Sequence, residues 1–154
     1  MDGRREREAG QSMVEFSVVV GAFLLIVFAA VSAAFHSVQR AMAETAAAAG
    51  IQIAAGASPN DPTQADLAGA IAPTEQLLRP VMFSTDIQRM PGRPCADLNS
   101  IPNQTLQVCT YRSGPALVAE TVRGHPAYVV PFLARRLGWS IDVTLEMHQV
   151  VYQQ

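Results

Sequence analysis

Few side chains in this sequence could carry out catalysis or bind a metal ion. Three histidines, His36, His125 and His148, are scattered, and none has a cysteine or carboxylate at the spacing of a metal ligand. Asp142 and Glu146 share one face of a predicted strand, but a step of four positions along a strand places them about 13 Å apart, too far for two carboxylates acting on one bond. Hydrolase, phosphate-loop and dinucleotide-binding motifs are absent from the sequence. We therefore expect no enzymatic activity, no cofactor, no metal ion and no small-molecule substrate.

Two cysteines, Cys95 and Cys109, are the remaining reactive groups. One lies in a proline-rich stretch, 90–102, and the other in a predicted strand. A disulfide between them would fasten the loop to the sheet and contribute about 3 kcal/mol in the chain-entropy model. We favour the disulfide because the topology predicted below places both cysteines outside the cytoplasm, where disulfides persist. Two free buried thiols are the alternative.

The charge balance excludes further classes of partner. Eleven basic residues are set against thirteen acidic ones, for a net charge of −2. We expect no binding to nucleic acid, because no cluster of arginines could follow a phosphate backbone. Every basic residue is arginine, which excludes Schiff-base chemistry and a phosphate-binding lysine.

One long apolar segment, residues 16–35, dominates the N-terminal part of the chain. It contains no charged residue, and all but three of its positions are Ala, Val, Ile, Leu or Phe. As a helix it spans about 30 Å, the thickness of the hydrocarbon core of a bilayer. Arg4, Arg5 and Arg7 precede it and Arg40 alone follows closely, so the positive-inside rule predicts a cytoplasmic N-terminus and a single membrane crossing.

A cleaved secretory signal peptide is the alternative interpretation of this segment. The sequence Ala41-Met42-Ala43 has the small-x-small form of a cleavage site, and cleavage there would release a secreted protein. The apolar run is longer than the usual 7–15 residues of a signal peptide, so we favour a membrane span.

A carboxylate lies directly at the start of the span, in the sequence Gly10-Gln11-Ser12-Met13-Val14-Glu15-Phe16. An ionised group at the edge of hydrocarbon loses hydration and needs a partner. Cleavage after Gly10 would give Gln11 an ammonium group about one helical turn from Glu15. Among parallel helices, Glu15 of one subunit could neutralise the amine of its neighbour and fix the axial register. The alternative is a solvated Glu15 that marks the membrane boundary.

These residues resemble the prepilin signature, and in particular the TadE/TadG-like minor pseudopilins of the tight-adherence (Tad, Flp) pilus system. The resemblance lies in the arginine-rich leader ending in Gly10, Glu15 at the fifth position after it, Phe16, the apolar helix and the alanine-rich stretch 37–46. It covers about the first third of the chain. It implies that a prepilin peptidase cuts between Gly10 and Gln11, and that Glu15 and Phe16 act in assembly.

The same resemblance implies a set of partners and a location. The partners would be the prepilin peptidase, other pilus subunits, assembly-platform proteins and the membrane. The protein would lie in the bacterial cytoplasmic (inner) membrane and help to assemble an adhesive pilus. The alternative function is a single-span anchor that presents an extracytoplasmic ligand-binding or sensor domain, which would keep its leader and have a pocket within residues 57–154.

Hydrophobic periodicity predicts an α+β fold with a long N-terminal helix and a small C-terminal sheet, a layout that resembles that of pilins. We expect a leader at 1–10, a transmembrane and stalk helix at 11–56, and an α+β domain at 57–154 that contains a small antiparallel sheet. The elements predicted within this domain are a turn at 58–62, short helices at 63–72 and 74–82 separated by Pro73, a loop at 90–102, and strands at 105–112, 117–123 and 139–151.

The stretch 125–133, between the last two predicted strands, is unusually apolar for a loop. It could close the open edge of the core, or it could dock on another subunit or on the membrane surface. We favour the first interpretation.

Overall fold

The computed structural model describes residues 3–57, 64–115, 117–128 and 130–148. Its elements in chain order are α1 (Gly3–Ala57), α2 (Gln64–Leu78), β1 (Asp86–Pro91), a 3-10 turn (Leu98–Ser100), β2 (Thr105–Gly114), β3 (Leu117–His125), α3 (Pro131–Leu137) and β4 (Ile141–His148). The predicted α+β class, a long N-terminal helix with a small sheet, is confirmed.

Two compact units divide the chain, Met1–Phe35 and His36–Gln154. We call the second unit the sheet domain. It includes the C-terminal part of α1, whose alanines form the helix face toward the core. Ala43, Ala47 and Ala54 are fully buried there. Alanine favours helix and has a short side chain, so the backbone of α1 can pack closely in the core of the domain.

Helix α2 continues through Pro73, so the prediction of two separate short helices is wrong. A proline inside a helix removes one backbone hydrogen bond and costs about 3 kcal/mol. Ile71 and Thr74 on either side of Pro73 are fully buried, as is Leu78. Burial of this face compensates for the lost hydrogen bond. The turn predicted at 58–62 lies outside the described residues.

The sheet has the order β1-β2-β3-β4 and is mixed rather than wholly antiparallel. Strands β2, β3 and β4 pair antiparallel, as predicted. Strand β1 was not predicted, and it pairs parallel to β2. A parallel pair needs a crossover connection, and residues 92–104 supply it; the loop predicted at 90–102 covers most of this crossover, but its first two residues belong to β1.

Both faces of β2 are covered, for different reasons. One face carries Leu106 and Val108, which join the core formed with α1 and α2. The opposite face carries Gln107 and Cys109, which lie under the 92–104 crossover, where the Ala96 amide donates to Gln107 Oε1 at 3.0 Å. A strand buried on both faces loses the simple alternation of exposed and buried residues.

The apolar stretch 125–133 leads into a short helix that the sequence did not predict. Helix α3 has Pro131 in its first turn and ends at Leu137; Gly138 follows, and its φ of 64° is the left-handed conformation that favours glycine. Ala127 and Ala134 are buried, as expected for a segment that closes the core, whereas Phe132 is 65% exposed.

Candidate functional sites

The first candidate site is the apolar surface of α1. This helix contains one segment that is long and apolar enough to cross a membrane, Met13–Gly56, a criterion that a signal sequence near the N-terminus also meets. Between residues 13 and 31 the exposed large apolar side chains are Met13, Val14, Phe16, Val18, Val19, Phe23, Leu24, Leu25, Ile26, Val27, Phe28 and Val31. A patch of this extent on a monomer marks a membrane or protein contact.

The two serine hydroxyls of the apolar run 16–35 have acceptors within the helix itself. The Ser17 hydroxyl donates to the Met13 carbonyl at 2.8 Å, and the Ser32 hydroxyl donates to the Phe28 carbonyl at 2.7 Å. These bonds satisfy both hydroxyl hydrogens without water, which is the condition that a bilayer imposes on polar groups.

The predicted processing and assembly residues all lie on α1. Gly10 and Gln11 belong to its first turns, and Glu15 and Phe16 follow on exposed positions of the same helix. The helical rise puts Gln11 and Glu15 about 6 Å apart along the axis. The four residues therefore lie within two helical turns at the N-terminal end of the apolar surface, of which Phe16 is a part.

A disulfide joins Cys95 and Cys109, with the two Cα atoms 5.5 Å apart. Cys95 belongs to the crossover and Cys109 is a buried residue of β2. The Arg123 guanidinium also donates to the Ala96 carbonyl, at 3.5 Å. The disulfide thus fastens the crossover to the outer face of the sheet, which is the role expected from the sequence.

Strand β3 carries a buried acid, Glu120, which was not singled out from the sequence. Its carboxyl group lies against α1 and α2. Its side chain is fully buried, and burial raises its pKa to about 8, against the opposing effect of a hydrogen bond with the Thr74 hydroxyl. Thr74 Oγ1 also lies 3.1 Å from the Ala46 carbonyl. A hydroxyl has one hydrogen, so both contacts are satisfied when protonated Glu120 donates to Thr74 and Thr74 donates to Ala46. The raised pKa and these two contacts therefore favour the protonated form of Glu120 at neutral pH.

Gly50 leaves the space that this carboxyl group occupies. A Cβ atom built at Gly50 would collide with both carboxyl oxygens of Glu120 and with the Thr74 hydroxyl. Glycine weakens a helix by about 1 kcal/mol relative to alanine. Its presence in the alanine-rich stretch of α1 is therefore explained by the close approach of Glu120.

A second buried acid, Glu75, keeps its charge. Only 4% of the residue is exposed, and its carboxylate accepts hydrogen bonds from Arg89 of β1 and from Arg79, the residue after the end of α2. The hydrogen bond from Arg89 is the largest influence that lowers the pKa of Glu75, and burial opposes it. This cluster connects α2 to the edge strand, and we assign it a structural role.

An aromatic cluster surrounds His36, the first residue of the sheet domain. The Trp139 ring stacks on the imidazole with 5.2 Å between ring centroids and 3° between planes. The Tyr128 hydroxyl lies 3.1 Å from His36 Nδ1, within hydrogen-bond distance. Burial raises the pKa of Tyr128 to about 12, so its hydroxyl keeps a proton for hydrogen bonding.

Two surface grooves mark the sheet domain. One, of about 160 Å³, lies beside Tyr128 and Trp139, and the other, of about 320 Å³, lies beside Glu75 and Arg79. Small-molecule sites usually enclose about 300–1,000 Å³ with a mainly apolar lining. The first groove is too small and the second is lined by charged groups, so neither matches such a site. Within the described ranges, no group of three or more His, Cys, Asp or Glu residues could hold a metal ion.

Comparisons with protein-family models, with curated proteins and with solved structures find no match to this chain. A functional assignment therefore has to come from the residues of the chain and their positions on α1 and in the sheet domain.

Proposed function

We propose that this protein is a minor pseudopilin of a tight-adherence type pilus, anchored in the inner membrane by α1 and processed after Gly10. One observation carries the proposal: the Gly10–Phe16 motif lies, on one helix, at the N-terminal end of an apolar surface that the chain leaves exposed. Lipid would cover this surface before assembly, and the helices of other subunits would cover it in a filament.

Processing would change the charge at the start of the span. Removal of the leader takes away three arginines and leaves an ammonium on Gln11. Along the helix axis, Gln11 and Glu15 are about 6 Å apart. Opposite charges 4 Å apart interact by about 4 kcal/mol at an effective dielectric constant of about 20. An axial shift of one helical turn between neighbouring subunits would lengthen the distance between the two charges and lower their interaction energy to about 2 kcal/mol. The pair would therefore favour one axial register.

The contacts of Gln39 argue against release of the domain by cleavage after Ala43. The Gln39 side chain is fully buried, and its amide nitrogen donates to the carbonyls of Val81 and Ala127, each at 3.3 Å. Cleavage after Ala43 would remove Gln39 and leave both carbonyls without this donor, at a cost of about 1–3 kcal/mol for the buried contact with Ala127. A retained helix keeps the domain intact.

The N-terminus of the mature protein tests the proposal directly. We expect mass sequencing of protein extracted from native membranes to find Gln11 as the first residue, and a peptidase-deficient strain to accumulate the chain that begins at Met1. A chain that keeps its leader in the presence of active peptidase would contradict the proposal and leave a membrane-anchored domain. A start at Glu44 would instead indicate a secreted protein.

The role of Glu15 is tested by Glu15→Ala with Glu44→Ala as the matched control. Glu44 is an exposed carboxylate on the same helix, and its exposed ion pair with Arg40 contributes little. We expect Glu15→Ala to be inserted and processed normally but to lose surface filaments, counted by electron microscopy. We expect Glu44→Ala to assemble normally. Normal filament numbers in Glu15→Ala would exclude Glu15 from the assembly mechanism.

A further inference from the structure

We propose that one end of the sheet domain docks on the anionic lipid surface of the membrane that α1 is expected to cross. The docking surface consists of exposed apolar and basic side chains of α3 and of the turn before β1, namely Phe83, Phe132, Arg135, Arg136 and Leu137. The proposal rests on the membrane anchor alone and holds whether or not the protein joins a pilus.

The position of this surface follows from the contacts of His36. His36 is bonded to Phe35, the last residue of the apolar run 16–35, so it marks the point where the sheet domain begins. Trp139 stacks on His36, and only Gly138 separates Trp139 from the end of α3. Helix α3 is therefore attached to the residue that follows the expected membrane span.

The turn before β1 belongs to the same end of the domain. Gln39, one helical turn beyond His36, donates to the Val81 carbonyl in this turn. The Ala127 amide donates to the Thr85 hydroxyl at 2.9 Å, which connects the turn to the segment that leads into α3. Phe83 lies between these two contacts in sequence and is 46% exposed.

The composition of α3 suits an interface between water and lipid. Ala134 is buried against the domain, whereas Phe132 and Leu137 are 65% and 56% exposed. Arg135 and Arg136 in the last turn are also exposed. Bulky apolar side chains beside basic ones are typical of segments that lie on anionic membranes, where long arginine side chains reach the headgroups.

A lipid surface is the occupant that these features favour. Three large apolar side chains are too few for a stable protein interface, which buries about 800 Å² on each partner. A weak lipid contact becomes effective when the domain is already tethered at the membrane, because tethering raises the local concentration. Docking would restrict the orientation of the domain on the membrane surface.

Trp139, the sole tryptophan of the chain, provides the measurement. The full-length protein is reconstituted in vesicles of phosphatidylcholine with phosphatidylglycerol, some of the lipid carrying bromine near the headgroup to quench tryptophan fluorescence. We expect strong quenching in the native protein and a loss of most of it in Phe132→Ser/Leu137→Ser. The matched control is Ile53→Ser, which alters an exposed residue of α1 about 25 Å from His36, and it should quench like the native protein.

The charge contribution is measured by varying the phosphatidylglycerol content. Quenching of the native protein should rise with the anionic lipid fraction and fall with salt. Arg135→Glu/Arg136→Glu should abolish this dependence, whereas Arg93→Glu, an exposed arginine in the crossover, should keep it. Circular dichroism verifies that each variant is folded.

Two results would overturn the proposal. One is equal quenching in the native protein and in Phe132→Ser/Leu137→Ser. The other is weak quenching in the native protein together with crosslinking of α3 between two copies, which would show that a second copy covers the surface. Neither result depends on leader cleavage or filament assembly, so failure here is distinguishable from failure of the pseudopilin proposal.

Discussion

Replacing Glu120 with glutamine should make the sheet domain more stable at high pH. The carboxyl group is fully buried between β3 and the helices and contacts the Thr74 hydroxyl. A glutamine amide has nearly the same shape as a protonated carboxyl group, can donate to Thr74 in the same way, and does not ionise. The substitution therefore removes the titration while keeping the packing.

The size of the effect follows from the pKa of Glu120. In the unfolded chain the group has its ordinary pKa of 4.5, whereas in the folded domain the pKa is about 8. Between these values the folded state holds a proton that the unfolded state has released, so the free energy of unfolding falls as the pH rises. The slope is about 1.4 kcal/mol per pH unit, and from pH 5 to pH 8 the loss is about 4 kcal/mol.

Urea unfolding of the full-length protein in detergent, followed by Trp139 fluorescence, measures this effect. We expect Glu120→Gln to match the native protein at pH 5 and to exceed its free energy of unfolding by about 4 kcal/mol at pH 8. Glu146→Gln is the matched control, because Glu146 is an exposed carboxylate on β4 and its loss should leave the pH dependence unchanged. Identical pH dependence in the native protein and Glu120→Gln would refute a neutral buried Glu120.

Two further substitutions test the packing around the sheet. Gly50→Ala should lower the free energy of unfolding by about 1–3 kcal/mol, because the new Cβ would collide with the Glu120 carboxyl group. Gly69→Ala, in α2 with open space around its Cα, should be neutral or stabilising by up to about 1 kcal/mol, and equal effects of the two would contradict the close contact. Cys95→Ala/Cys109→Ala should cost about 2–4 kcal/mol in urea unfolding, and a variant as stable as the oxidised native protein would show that the disulfide does not stabilise the fold.

Hydrophobic patterns within a single segment of the sequence predicted some of the helices and strands correctly. Residues 16–35 predicted helix because a long uncharged apolar run has few alternatives, and the run lies within α1. Strand β4 was predicted from strict alternation, and Ile141 and Val143 are buried while Asp142 and Thr144 are exposed. Such elements depend on the sequence of one segment and one buried face.

The elements that were missed depend on distant partners. Strand β1 has a polar sequence that ends in Pro91, and it forms because β2 offers a parallel edge after the crossover. Helix α3 has only seven residues, too few for a clear helical period, and Trp139 after it is held by the stack on His36.

The buried carboxyl of Glu120 shows the same limit for a candidate site. In sequence, Glu120 alternates with Val118 and Val122, which indicates the buried face of β3. Its environment needs Gly50 from α1 and Thr74 from α2, which no local pattern connects to it. The disulfide was predictable because only two cysteines exist, so one pairing was available.

The carboxyl groups of Glu15, Glu75 and Glu120 border apolar surroundings, where an ionised group loses hydration. A different arrangement offsets this cost for each of them. Glu75 keeps its charge because Arg79 and Arg89 donate to it, whereas Glu120 has no arginine partner in the described part of the chain and burial raises its pKa. In the proposed mechanism, Glu15 obtains an ammonium partner only after the leader has been removed. An unprocessed subunit would bring three arginines and three acidic residues of the leader to the helix interface, but no ammonium on Gln11. Assembly would then depend on processing, because the charge that fixes the register exists only in the mature chain.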